Sequence, residues 1–413
     1  MTLQVVPVET KAQREAWLRL PWRLYAGRKN WVPNLLMLQR EVIDPKKNPF
    51  FEHGEAQLFL ATREEEPVGR ISASIDRDHN RDHQERTGFF GFFETEDDPE
   101  VAQALLTAAE EWLKGKGMDT ARGPFSFSIN EELGLMVEGF DEPAMIATPQ
   151  ALPYYGELVE NAGYTKAQDL LGYRWEMETL PERTAEAIER TRAVPGLKVR
   201  YANPWKLRRE VDILLDIYND AWKENWGYVQ VTQKEAAKLA ADLRLIVDKR
   251  VVLIAEIDGE PAGTVVGLPN LYEAIRDFKG FLDPIKAAKL IWRLKIRGPK
   301  TGRVFLFGVK KKFQRTRDLY GLPFLLLAEL YAGAKKGRYE WCEESWVLES
   351  NSRLNALMPY WGAYVYKRWR IYEKPLVPHV VLEAVEVVEA VEPEEAPLEE
   401  EEDVDDIEDV AVS

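Results

Sequence analysis

Residues Leu58–Ser72 read LFLATREEEPVGRIS, and 194 positions later Val252–Val266 read VLIAEIDGEPAGTVV. At that offset Ala61 meets Ala255, Glu66-Pro67 meets Glu260-Pro261, and Gly69 meets Gly263. An apolar run, a short charged turn with proline and a second apolar run predict, each time, a strand hairpin. Such a recurrence points to a duplicated unit.

The order of elements after each hairpin also repeats. In the first half Gly88–Glu94 (GFFGFFE) reads as a strand, and Asp97-Asp98-Pro99 caps a helix whose Val101, Leu105, Ala108 and Trp112 recur at helical spacing. Gly115 and Gly117 end that helix. In the second half Arg303–Val309 (RVFLFGV) is the strand, Pro323–Lys336 the helix and Gly337 its stop. Both halves close alike, with Ala162-Gly163-Tyr164 before LLGYRWE and Gly362-Ala363-Tyr364 before RWRIYEK. The pattern predicts an α/β protein with halves at 1–178 and 198–376. Between them 179–197 forms a linker, a short polar helix ended by Pro195-Gly196.

Composition narrows the function classes. The 413 residues carry a net charge of −15, yet residues 383–413 hold 15 acidic and no basic residues, so the remainder is neutral. That tail, 377–413 with its approach, lacks the apolar content to offset chain entropy and is expected to be disordered. A neutral body is not the basic surface of a nucleic-acid binder, so no nucleic-acid partner is expected. The single cysteine, Cys342, excludes a disulfide framework. No apolar leader opens the chain, and the longest apolar run, Leu322–Ala334, is too short to span a bilayer. The expectation is a cytoplasmic protein.

Further segments sharpen the reading: GFFGFFETEDD (Gly88–Asp98), RGPFSFSINEELG (Arg122–Gly134), GFDEP (Gly139–Pro143), PYY (Pro153–Tyr155) and ESWVLESN (Glu344–Asn351). With the duplicated order of elements they resemble tandem GNAT-superfamily acyltransferases over about residues 1–376, and within them a bacterial group that includes the ceramide synthases. The resemblance implies two GNAT-like domains in tandem, each a mixed, mostly antiparallel sheet flanked by helices. It also implies acyl-CoA as co-substrate, no permanently bound cofactor, and transfer of a fatty acyl chain to the amine of an amphipathic acceptor such as a long-chain base. A duplicated module without activity, acting as a scaffold or lipid-binding protein, is the alternative.

In that superfamily the amine attacks the thioester directly, so the protein must position both reactants and move a proton. The pantetheine arm lies beside the central strand, here ending at Val309, and the pyrophosphate at the head of the next helix. The loop Lys310–Pro323 would then cradle CoA through Lys311, Arg315, Arg317, Tyr320 and Gly321, though Gly321 stands alone where the family carries paired glycines. The equivalent first-half loop holds Glu94, Glu96, Asp97, Asp98 and Glu100, which would repel a pyrophosphate. The first half is therefore expected to shape the acceptor side.

For proton transfer the strand Tyr339–Leu348 offers Glu340 and Glu344 on one face and Glu343 on the other. Burial beside Trp341 or Trp346 would raise a glutamate's pKa into the range of a base. Asn351 reads as a helix cap and a site residue. Tyr360 is a candidate acid, since the position four before the closing glycine, usually tyrosine in the superfamily, is Met358. Ser126, Ser128, Asn130 and Glu131 are candidate substrate contacts or turn formers. His79 and His83, in DRDHNRDHQER, read as a mobile polar loop and no metal site is expected. The segment Asp283–Arg303, with Ile285, Ala288, Ile291 and Trp292 along a basic helix, predicts peripheral contact with an anionic membrane.

Overall fold

The computed structural model describes residues 2–177, 182–314 and 316–377. The acidic tail and Arg315 lie outside the described residues. One mixed sheet of 13 strands runs through both halves. The first half supplies β1 (Leu3–Pro7), β2 (Gly54–Arg63), β3 (Glu66–Asp76), β4 (Thr87–Thr95), β5 (Thr120–Gly123), β6 (Leu135–Glu138) and β7 (Thr165–Trp175). The second supplies β8 (Leu197–Tyr201), β9 (Val252–Ile257), β10 (Glu260–Pro269), β11 (Thr301–Val309), β12 (Trp341–Leu348) and β13 (Tyr364–Pro375).

The two hairpins form as their sequences predict, β2–β3 with Ala61 opposite Gly69 and β9–β10 with Ala255 opposite Gly263. Their third strands follow antiparallel, and β4–β5 and β11–β12 then pair in parallel. The duplicated helices, Pro99–Gly115 and Leu322–Gly337, return the chain between those parallel strands and bury Leu105, Leu106 and Leu113 in one core and Leu322, Leu326 and Leu330 in the other. The second helix ends at Arg338, in the left-handed conformation, and Gly337 instead leaves room for the Tyr339 ring.

The closing strands are exchanged. β7 pairs with β12 of the second half, while β13 pairs with β5 and β6 of the first, and β7 and β13 pair with each other at the centre. The linker region contains the helix Glu182–Arg192, whose Arg192 reaches Glu329 at 2.9 Å on the helix Leu322–Gly337. One expectation is corrected here. Arg77–His83 is a helix rather than a loop, because the Asp76 carboxylate accepts from the N–H groups of Asp78 and His79 and so supplies its cap. Within it the rings of His79 and His83 lie 4.5 Å apart, and His83 Nε2 is bonded to the Tyr228 carbonyl.

Candidate functional site

Each half contains a place where two parallel strands part. In the second half β11 and β12 are paired from Thr301↔Trp341 to Val304↔Glu344 and then diverge. Beyond Val304, β11 continues to Val309 paired with β10 alone among the described strands, and Phe305–Gly308 are only half-buried. An edge of this kind presents backbone N–H and C=O groups to a further extended partner.

The first half parts in the same way after Phe89↔Arg122, but its edge is already occupied. The Phe125 N–H donates to the Phe90 carbonyl at 2.8 Å. Further along, the Thr95 N–H donates to the Tyr155 hydroxyl at 3.2 Å, and the Tyr154 hydroxyl donates to the Thr95 carbonyl at 2.9 Å. The PYY segment therefore caps the strand that an extended ligand would otherwise pair with.

Glu344 sits at the point of divergence in the second half. It is 5% exposed, and its Oε1 is buried with no hydrogen-bond partner among the described residues. Burial alone pushes its carboxyl up to about 7. Its neighbour Glu343 has the opposite surroundings. The Ser345 hydroxyl donates to it at 2.5 Å, the Tyr366 hydroxyl donates to it as well, and Lys367 Nζ lies at 3.1 Å. Although burial would raise its pKa, Lys367 and Arg303 hold it below the ordinary carboxylate value. The two adjacent carboxyls thus differ in role: one is locked in an ion pair and the other is left able to exchange a proton.

The same network ties the halves together. Lys367 Nζ also donates to the Pro143 carbonyl at 2.7 Å, at the end of GFDEP. Buried Arg303 donates to the carbonyls of Ile146 and Ala147 on that loop, and to Ser345 of β12 at 3.0 Å. These contacts fix the parting point of β11 and β12 against the first half. Sequence reasoning passed over Arg303 and Lys367, because Lys367 meets Glu343 and Pro143 from 24 and 224 residues away and Arg303 meets Ile146 from 157.

The remaining candidates are spread more widely. Glu340 precedes β12, is exposed and pairs with Lys300, at the opposite end of the paired segment from Glu344. Asn351 caps the helix Ser352–Leu357, its side chain accepting from the Leu354 N–H at 3.1 Å. Tyr360 is half exposed in the turn Met358–Trp361, which Trp361 holds against Phe324 at the head of the helix Leu322–Gly337, with ring centroids 5.8 Å apart.

In the basic loop the Val309 carbonyl accepts from Gln314. Lys310 pairs with Asp216, Lys311 with Glu224 and Lys312 with Glu260. Arg317 and Tyr320 are exposed. A Cβ on Gly321 would meet the Ala187 carbonyl at 2.4 Å, so the close backbone approach at this glycine is to the helix Glu182–Arg192. Cys342 is buried, which pushes its thiol up and leaves it a poor nucleophile.

Of the first-half group, Ser126 lines a cleft described below. Ser128 accepts from the Asn130 N–H, and Asn130 bonds to Tyr218 and to the Val229 carbonyl, so Asn130 joins the halves. Glu131 accepts from Asn48 at 3.0 Å, and burial pushes it up to about 8. Among the described residues no group of histidine, cysteine and acidic side chains could hold a metal ion, and no helix is long and apolar enough to cross a membrane.

No family-level sequence profile matches the chain. It is 44% identical over 377 residues to the bacterial ceramide synthase of Caulobacter vibrioides (strain NA1000 / CB15N), covering 91% of this chain and 98% of that protein. It is 38% identical over 368 residues to protein YghO of Escherichia coli (strain K12), covering 89% and 94%. Among solved structures, a tandem GNAT protein from the clavulanic acid biosynthesis pathway matches with a TM-score of 0.55 at 13% identity, covering 91% of this chain and 99% of that one. A GCN5-related N-acetyltransferase from Sphaerobacter thermophilus matches with a TM-score of 0.51 at 14% identity, covering 91% and 96%. These structures share the fold. With the 44% identity, they show that the chain belongs to the bacterial ceramide synthase family, acyltransferases built on a tandem GNAT fold.

Proposed function

We propose that the protein transfers a fatty acyl group from acyl-CoA to the amine of an amphipathic acceptor such as a long-chain base, and that the reaction takes place where β11 leaves β12. The observation that carries this reading is the buried, unpartnered carboxyl of Glu344 at that point. The name of the Caulobacter relative, a ceramide synthase, supports the class of product.

The open edge of β11 suits a pantetheine arm, with Val309 at its end and the loop Lys310–Pro323 leading to the helix where a pyrophosphate would sit. Lys311, Arg315, Arg317 and Tyr320 are assigned to that place from the sequence; the exposure of Arg317 and Tyr320 is compatible with it, and Lys311 would exchange Glu224 for a phosphate. The capped first-half edge and its acidic loop argue that only the second half takes CoA. In the reaction the amine nitrogen forms a bond to the thioester carbonyl carbon, the C–S bond breaks and CoA leaves as thiolate. The proton lost by the amine passes to Glu344, and the thiolate takes one up in turn, from Glu344 or from Tyr360.

The segment Asp283–Arg303 supports membrane-surface contact as part of this reading. Ile285 is 81%, Trp292 53% and Ile296 72% exposed, while Leu290 and Leu294 pack inward. An anionic bilayer complements that apolar and basic surface, and a lipid acceptor would be collected there.

The test is turnover of the purified full chain with acyl-CoAs of graded length, with and without sphinganine, followed by mass spectrometry. N-acylsphinganine formed from long-chain donors is the expected result. No product and no affinity for any acyl-CoA would overturn the reading in favour of an inactive duplicated module.

A further inference from the structure

The first half's parting strands border a small, half-open cleft of about 120 Å³. We propose that this cleft binds the ammonium end of the lipid acceptor, whose hydrocarbon chain extends out of it, rather than any part of acyl-CoA. The inference rests on the acyltransferase reading above and locates its second substrate.

Three observations carry it. First, polar and apolar groups share the lining about equally, with Leu18, Trp22, Trp31 and Phe92 beside Arg70, Glu94 and the carboxyl of Glu132. That carboxyl has no hydrogen-bond partner among the described residues, whereas Glu94, the other acid there, is engaged by Arg70 and by the Tyr155 hydroxyl. Aromatic rings beside a carboxyl that no other side chain engages, with Arg70 already balanced by Glu94, suit an ammonium group. Second, CoA is disfavoured at this place, because the edge of β4 is capped by Tyr154 and Tyr155 and the loop that follows is acidic. Third, the cleft adjoins both surfaces that an acceptor must connect. Glu132 is close enough to Arg303 to feel its charge, and Arg303 holds Ser345 next to Glu344. Trp22 meanwhile donates to the Lys279 carbonyl at 2.8 Å and contacts Phe281. Phe281 is itself partly exposed and leads in the chain to the helix Pro284–Trp292, which carries exposed Ile285 and Trp292.

The experiment follows tryptophan fluorescence of the full chain, since Trp22 and Trp31 line the cleft, during titration with sphinganine, hexadecylamine and palmitoyl-CoA. Glu132→Gln should weaken both amines about tenfold or more while palmitoyl-CoA affinity stays unchanged. Unchanged amine affinity, or a loss confined to palmitoyl-CoA, would overturn the proposal. Hydrogen exchange on the unaltered chain gives a second readout that does not depend on the variant folding. Sphinganine should slow exchange in residues 124–135, and no slowing there refutes the site. The two readings separate cleanly: sphinganine bound in the cleft without any turnover removes the acyltransferase reading and keeps the site. Turnover whose amine KM ignores Glu132→Gln removes the site and keeps the reading.

Discussion

At the scale of single residues, Glu343 and Glu344 show how neighbouring carboxyls acquire different chemistry. Both are buried on β12, but Lys367 and Arg303 balance the charge of Glu343, and nothing of that kind reaches Glu344. Its carboxyl therefore carries a stability cost when charged. With a folded-state pKa of about 7 against an ordinary 4.5, the folded protein binds the extra proton between those values, so stability falls as pH rises through that window. Glu344→Gln should raise the Tm at pH 8, by an amount worth on the order of 3 kcal/mol at most, and the gain should vanish towards pH 4.5. Thermal melts at the two pH values check this; an equal or lower Tm at pH 8 would show that Glu344 is stabilised as a carboxylate. Glu344 was legible in the sequence because a carboxylate beside tryptophans in a strand is a recognisable pattern. The ion network of Glu343 was not, since it depends on Pro143 and Lys367 meeting across the halves.

At the scale of elements, alternation and helical spacing located β4, β11 and the two long helices to within a residue or two, and the hairpins to within four. They failed where a local cap decided the outcome, as at Asp76, and where both sides of a helix are apolar. The helix Pro284–Trp292 and its π-helical continuation Arg293–Arg297 are such a case. Leu290 and Leu294 satisfy the core, which leaves Ile285, Trp292 and Ile296 to face outward among lysines and arginines. Because these three are exposed, changing them should leave the fold intact. The combination Ile285→Ser, Trp292→Ala and Ile296→Ser should cut sedimentation with anionic phospholipid vesicles at least about tenfold. Retained sedimentation, or none by the unaltered chain, would rule out the surface contact.

At the scale of the whole molecule, the duplication was legible but the exchange of β7 and β13 was not. Both closing strands follow the same glycine and aromatic lead, so each sequence says that a unit ends without saying which sheet the strand joins. The exchange brings β12, with Glu344, against β7 of the first half, where Glu344 stands opposite Tyr173. The proposed reaction would therefore draw on an arrangement that neither half makes alone. The most direct test of that assignment is the pH dependence of N-acylsphinganine formation from a long-chain acyl-CoA by the full chain and by Glu344→Gln. The account predicts that kcat/KM of the unaltered chain rises with pH to a plateau through an apparent pKa near 7, and that Glu344→Gln loses about 10²–10⁴-fold together with that rise. A variant that keeps both the rate and the pH profile would contradict it.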